Sequence, residues 1–176
     1  MTIPVQTRAT ARHSEDTSDT RFFDTEMLSL QIVNGGPGFM LRESPTRASQ
    51  GMATFQGGAG GYLISSFFDV FLEISLDGGQ SWTPAPQQLR LELVPAVSES
   101  FFPTECFPLG GDYETGRDMP TTFANGLVIK NLRRRPDALR MAMPGPGEQQ
   151  TRSLGGTLEF DLSLNGGNSF QHYYAV

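Results

Sequence analysis

The eight residues Ser75-Leu76-Asp77-Gly78-Gly79-Gln80-Ser81-Trp82 return near the C-terminus as Ser163-Leu164-Asn165-Gly166-Gly167-Asn168-Ser169-Phe170, 88 positions later. A chain that repeats such a unit builds the same local structure twice, and the flanking residues say what that structure is. Ahead of the first copy, Phe68, Val70, Leu72, Ile74 and Leu76 alternate with Asp69, Phe71, Glu73 and Ser75; ahead of the second, Leu158, Phe160, Leu162 and Leu164 alternate with Thr157, Glu159, Asp161 and Ser163. A period of two with apolar side chains on one side is the pattern of a strand with one buried face. Glycine tolerates the left-handed backbone that a tight reversal needs, so Asp77-Gly78-Gly79 and Asn165-Gly166-Gly167 are read as turns. Trp82 and Phe170 then fold back over those turns, with the Asp or Asn side chain bonded to nearby amides.

Twenty glycines and twelve prolines in 176 residues favour many short strands over long helices. Further strand patterns cover residues 26–33, 39–43, 89–94, 123–132, 139–143 and 170–175. The expectation is an all-β protein, an antiparallel β-sandwich built from two homologous halves. Residues 1–20 form a flexible N-terminal arm, 21–95 the first β repeat, 96–120 a crossover and 121–176 the second β repeat. A propeller is excluded, because blades of about 40–45 residues would require four motifs where two exist.

A net charge of −6 disfavours nucleic acid, whose binding relies on clustered cations. Arg133-Arg134-Arg135 is the exception, read as a solvated loop, with an anion or partner site as the other choice. Cys106 lies among Phe101, Phe102 and Phe107 and is read as a buried thiol. No apolar run is long enough for a membrane span, and the first residues lack the apolar core of a signal peptide, so the export route is not legible.

The chemistry-bearing residues are sparse. His13 and His172 are the two histidines, no G-x-S-x-G elbow accompanies them, and zinc ligands do not converge. Asp69, Glu73 and Asp77 share one strand face, but Asp69 and Glu73 are roughly 13 Å apart at the strand rise, too far for a catalytic pair on one strand. Asp112, Glu114 and Asp118 make calcium the one candidate ion; no catalytic residue, bound metal or other cofactor is assigned.

The first copy resembles the Asp-box, S-x-D-x-G-x-x-W, and the second resembles it less closely at Asn165 and Phe170. That resemblance implies a structural hairpin device remote from catalysis. The strings Phe22–Leu30, Leu41–Ser49 and Ser66–Trp82 together resemble a group of uncharacterised bacterial secreted proteins of the PEP-CTERM-associated type, over about residues 22–84. That implies a secreted or cell-surface protein and carries no activity with it. The expected function is a non-enzymatic structural protein that self-associates into an oligomer or filament, through Ile3, Pro4 and Val5 of the N-terminal segment and Tyr173 and Tyr174 of the last strand. The alternatives are a carbohydrate-binding module stacking sugars on Trp82, Tyr62 or Tyr113, and a small carboxylate-based hydrolase tested at Glu73.

Overall fold

The computed structural model of the chain describes residues 4–32, 39–94, 97–99, 112–116, 119–137 and 143–173. In chain order the strands are β1 (Pro4–Asp16), β2 (Thr20–Ile32), β3 (Met40–Glu43), β4 (Ser49–Gly58), β5 (Gly61–Val70), β6 (Leu72–Ser75) and β7 (Thr83–Pro84). They continue as β8 (Leu89–Val94), β9 (Val97–Glu99), β10 (Asp112–Thr115), β11 (Thr121–Thr122), β12 (Val128–Pro136), β13 (Gln149–Ser163) and β14 (Gln171–Tyr173).

Eight of these close on themselves. β1, β2, β4, β5, β8, β10, β12 and β13 pair antiparallel in that order, and β13 returns to β1, giving an up-and-down barrel. The two-half sandwich is therefore wrong, and β1 is the reason. Residues 4–16, expected within a flexible arm, pair with β2 on one side and β13 on the other. Every second β1 side chain from Val5 through Thr7, Ala9, Ala11 and His13 is buried. Small side chains suit the interior of an eight-stranded barrel, which is only wide enough for side chains or one small ligand. Ala and Thr carry little hydropathy, so an inner wall built from them reads as a polar tail.

The other strands supply the bulk. Phe23, Phe55, Phe68, Leu91, Leu93, Leu132, Leu158 and Phe160 point inward and are buried. Each such side chain contributes about 1.5–3 kcal/mol relative to exposure. Phe23 stacks with His13 at 4.7 Å and meets Phe55 edge-on at 5.2 Å. Outward positions alternate with them and include Arg12, Asp24, Arg90 and Glu92. Among the described residues no helix is long and apolar enough to cross a membrane.

The duplication extends beyond the motif. Met40 pairs with Ser75, Leu41 with Ile74 and Arg42 with Glu73, and 88 positions later Val128 pairs with Ser163, Ile129 with Leu162 and Lys130 with Asp161. Glu73 opposite Pro84 and Ile74 opposite Thr83 recur as Asp161 opposite His172 and Leu162 opposite Gln171. The copies then diverge at one residue. β13 runs unbroken, whereas its counterpart splits at Phe71 into β5, which stays in the barrel wall, and β6, which leaves to pair with β3 and β7. The loop after β3 satisfies the break: the Ser44 amide donates to the Phe71 carbonyl (2.7 Å), and the Phe71 amide donates to Ser49 Oγ (3.1 Å).

Several other expectations change. Residues 96–120 are not only a crossover, because β9 pairs with β5, and β10 completes the wall between β8 and β12. Arg133-Arg134-Arg135 lies within β12, not in a solvated loop. Cys106 and all but the last residue of the expected strand at 139–143 fall outside the described residues.

Candidate functional site

The two turn modules sit side by side at one end of the barrel, and their geometry is nearly superposable by residue. Ser75 Oγ donates to Asp77 Oδ1 (2.7 Å) and accepts from the Gly79 amide (2.8 Å); Ser163 Oγ bonds Asn165 Oδ1 (2.8 Å) and accepts from the Gly167 amide (2.9 Å). Both serines are fully buried, and Leu76 and Leu164, expected on the apolar face, are exposed instead. The buried hydroxyl satisfies the turn amide, which forces its neighbour outward. Gly78 and Gly79 have φ of 71° and 90°, and Gly166 and Gly167 70° and 88°, so both glycines of each turn are left-handed as the sequence predicts.

Asp77 Oδ1 accepts from the Ser81 amide (2.9 Å), and its other oxygen accepts from the Ser81 hydroxyl. These bonds, with that from Ser75, hold its carboxyl well below the usual carboxylate range. In the second module Asn165 Oδ1 accepts from the Ser169 amide (3.0 Å), but Asn165 Nδ2 donates to Ser169 Oγ (2.8 Å). The Asp-to-Asn change thus reverses the direction of one bond and keeps the turn.

Each aromatic is capped by a cation from the neighbouring strand. The Arg42 guanidinium lies 3.8 Å from the Trp82 ring centroid, and Lys130 Nζ lies 4.1 Å from that of Phe170. The Trp82 N–H donates to the Gly79 carbonyl (3.1 Å). Phe39, just ahead of β3, packs on Phe160 and on Tyr173 (centroids 5.8 and 4.9 Å), and Asn125 Nδ2 reaches Thr83 Oγ1 at 3.4 Å. Those contacts tie the strands of the two modules together, and Leu76 (49% exposed), Leu164 (64%) and Phe170 (37%) are left in solvent. No family model, curated protein or solved structure matches the chain.

Of the residues expected to mediate self-association, those described are engaged within the fold. Val5 is buried in the barrel interior, and Pro4 begins the strand that closes the wall, opposite Thr157. Tyr173 stacks on Phe160 at 5.5 Å and is half-buried within the fold. Ile3 and Tyr174 lie outside the described residues. Trp82 has one face under Arg42 and its N–H engaged, and Tyr113 is buried inside the barrel, away from any sugar in solvent. Tyr62 lines a shallow surface pocket at the β4–β5 hairpin.

The carboxylates weighed for catalysis or calcium have structural partners. Asp69 takes both Arg90 Nε and Nη2 at 2.8 Å, and Asp112 and Glu114 pair with Arg133. Burial pushes Asp161 up, but hydrogen bonds from His172 and Asn131 and the charge of Lys130 more than offset it and hold it below its ordinary value. Asp118 lies outside the described residues, and among those described no group of three acids, His or Cys converges on an ion site.

Glu43 shares the buried face of β3 with Leu41, a place where its charge would not be expected. It is buried, receives Ser49 Oγ at 2.9 Å, and adjoins Glu73, which is bound by Arg42 (2.7 and 2.9 Å) and Ser44 (2.8 Å). Burial pushes its carboxyl from 4.5 up to about 7; Glu26 and Glu73 reinforce the rise, and Ser49 and Arg42 oppose it. A raised folded pKa means that the folded state holds the proton more tightly. The linked stability is complete below 4.5 and is lost as pH climbs through 7. Glu43→Gln, which keeps an acceptor for Ser49, is expected to flatten the pH dependence and to be more stable than the parent at pH 8 by on the order of 2 kcal/mol. Urea denaturation at pH 5 and pH 8 measures this directly; equal slopes for parent and variant would contradict it.

Proposed function

We propose that this is a non-enzymatic, secreted or cell-surface structural protein that associates with copies of itself through the twin-turn end of the barrel. One observation carries the proposal: Leu76 and Leu164 occupy equivalent positions in the two modules, and both, with the part-exposed Phe170, present apolar surface to solvent. Large apolar side chains exposed to water favour burial against a partner. Among the described residues β1 has a strand paired on each side, so sheet-edge pairing through the N-terminal strand no longer supports assembly. The resemblance to secreted bacterial proteins supports the location.

Sedimentation velocity across a concentration series tests the proposal. The parent is expected to associate, and Leu76→Ser with Leu164→Ser to weaken association at least about tenfold, equivalent to 1.4 kcal/mol. Both substitutions are at exposed positions and should leave the fold intact. A parent protein that stays monomeric at millimolar concentration would count against the proposal.

A further inference from the structure

The barrel end away from the twin turns carries a cavity that self-association does not use. β5 runs from the hairpin with β4 toward β6 and the first Gly-Gly turn, so that hairpin lies at the opposite end of the wall. The turn between β1 and β2 stands beside it, and the Gly57 amide donates to the Asp19 carbonyl (2.6 Å) and ties the two together. Between them opens a cavity of about 470 Å³. Small-molecule sites commonly have about 300–1,000 Å³, and the mouths of β-barrels are a recurrent place for them.

Its inner side is aromatic. Phe55 pairs with Ile64 and both face the interior, so the next pair toward the hairpin, Gly57 with Tyr62, faces the same way at the rim. Gly57 lets the Tyr62 ring lie across it, since a Cβ there would sit 3.3 Å from Tyr62 Cε1. Part of the Tyr62 ring stays accessible, whereas Phe55 is fully buried and backed by Phe23, which in turn stacks on His13.

The rim is polar and held in place. Buried His13 brings Nε2 to 2.6 Å from Asp16 Oδ1, and Arg21 Nε lies 3.9 Å from the same oxygen. The hydroxyls of Thr17 and Thr20 donate to Asp19 Oδ1 at 3.2 and 3.1 Å. Each carboxylate therefore has one oxygen engaged, and among the described residues Oδ2 of each accepts no hydrogen bond. Ser18 adds a hydroxyl to the lining. A fitting ligand brings several hydroxyl donors for the carboxylates and a flat apolar face for the tyrosine. Sugar rings combine the two.

We propose that this barrel mouth binds a neutral hexopyranose ring, its C–H face stacked on Tyr62 and its hydroxyls donating to Asp16 and Asp19. Hydroxyl-to-carboxylate bonds are charge-assisted, and an aromatic ring supplies a rigid apolar platform.

Amide NMR titration of the whole protein with cellobiose and with lactose, and with cyclohexanol as a ring bearing one hydroxyl, tests this. At least one disaccharide is expected to bind with a millimolar Kd or tighter and to shift amides of residues 16–21 and 57–62. Tyr62→Ala should weaken that binding at least about tenfold, and Tyr62→Phe, which keeps the platform, should stay within about threefold of the parent. Asp19→Asn keeps an acceptor for the two threonines and should weaken binding several-fold, so the test survives if Tyr62→Ala does not fold. No binding of either disaccharide at about 50 mM would overturn the proposal. So would shifts confined to the twin-turn end, equal affinity for cyclohexanol, or unchanged affinity in a folded Tyr62→Ala or Asp19→Asn.

Discussion

Removing residues 1–16 is expected to abolish cooperative folding. β1 contributes the buried side chains Val5, Thr7, Ala9, Ala11 and His13 and is the sole link between β2 and β13 among the described residues. Without it the wall opens into a sheet with two long free edges, and the aromatic wall faces water. The loss includes two ladders and one interior face, which exceeds the net stability of about 5–15 kcal/mol available to a domain. The expected observations are a broad or absent urea transition and aggregation on concentration. A shortened chain with the parent's urea midpoint would show that β1 is dispensable, as a flexible arm would be.

The second large effect is expected at Gly51, on β4 between β2 and β5. A Cβ there would lie 2.0 Å from the Phe67 carbonyl oxygen and 2.8 Å from Thr25 Oγ1. The closer contact is backbone in the adjacent strand and cannot swing away, so Gly51→Ala must separate β4 from β5. Overpacking of this kind costs about 1–3 kcal/mol where side chains yield, and more where backbone must move. Roughly 3 kcal/mol or more is expected at this position. Gly60, in the hairpin between the same strands, has nothing within 4 Å of the place a methyl group would take, so Gly60→Ala is the matched control and should stay within about 0.5 kcal/mol of the parent. Urea midpoints of the two variants measure the contrast; similar values would mean that β4 and β5 are not held as closely as described.

How much of this is legible in the sequence follows from what alternation encodes. A period of two reports which side of a strand is buried but not what lies across from it, and Leu72 and Leu162 are buried as their pattern predicts. The same pattern serves a sandwich and a barrel. Turn chemistry is legible because it is local: the left-handed pairs Gly78–Gly79 and Gly166–Gly167 are dictated by residues within the turn. Closure is hidden because the decisive strand carries Thr7, Ala9 and Ala11 on its inner face, and small side chains have little burial signal individually.

The candidate sites divide along the same line. Alternation puts Leu76 and Leu164 on the wrong face, because the buried hydroxyls of Ser75 and Ser163 outrank hydropathy at the turn entrance. Arg134 is hidden in a run of three arginines, where charge suggests solvent. The inward spacing of Leu132 and Arg134 is present in the sequence as an alternation, and charge composition masks it. Glu43 depends on a loop returning Ser49 to it, a tertiary contact that no local pattern contains.

The pairing of β1 with β13 joins residues 4–12 to a segment that starts at residue 149. A molecule emerging N-terminus first therefore cannot complete its circumference until residues 149 onward have been made, and during synthesis the first strand waits for its second neighbour. Long-range pairing of this kind slows folding, since distant segments must meet before their contacts are gained. Until those most distant strands meet, the wall stays open and its interior side chains stay in contact with water.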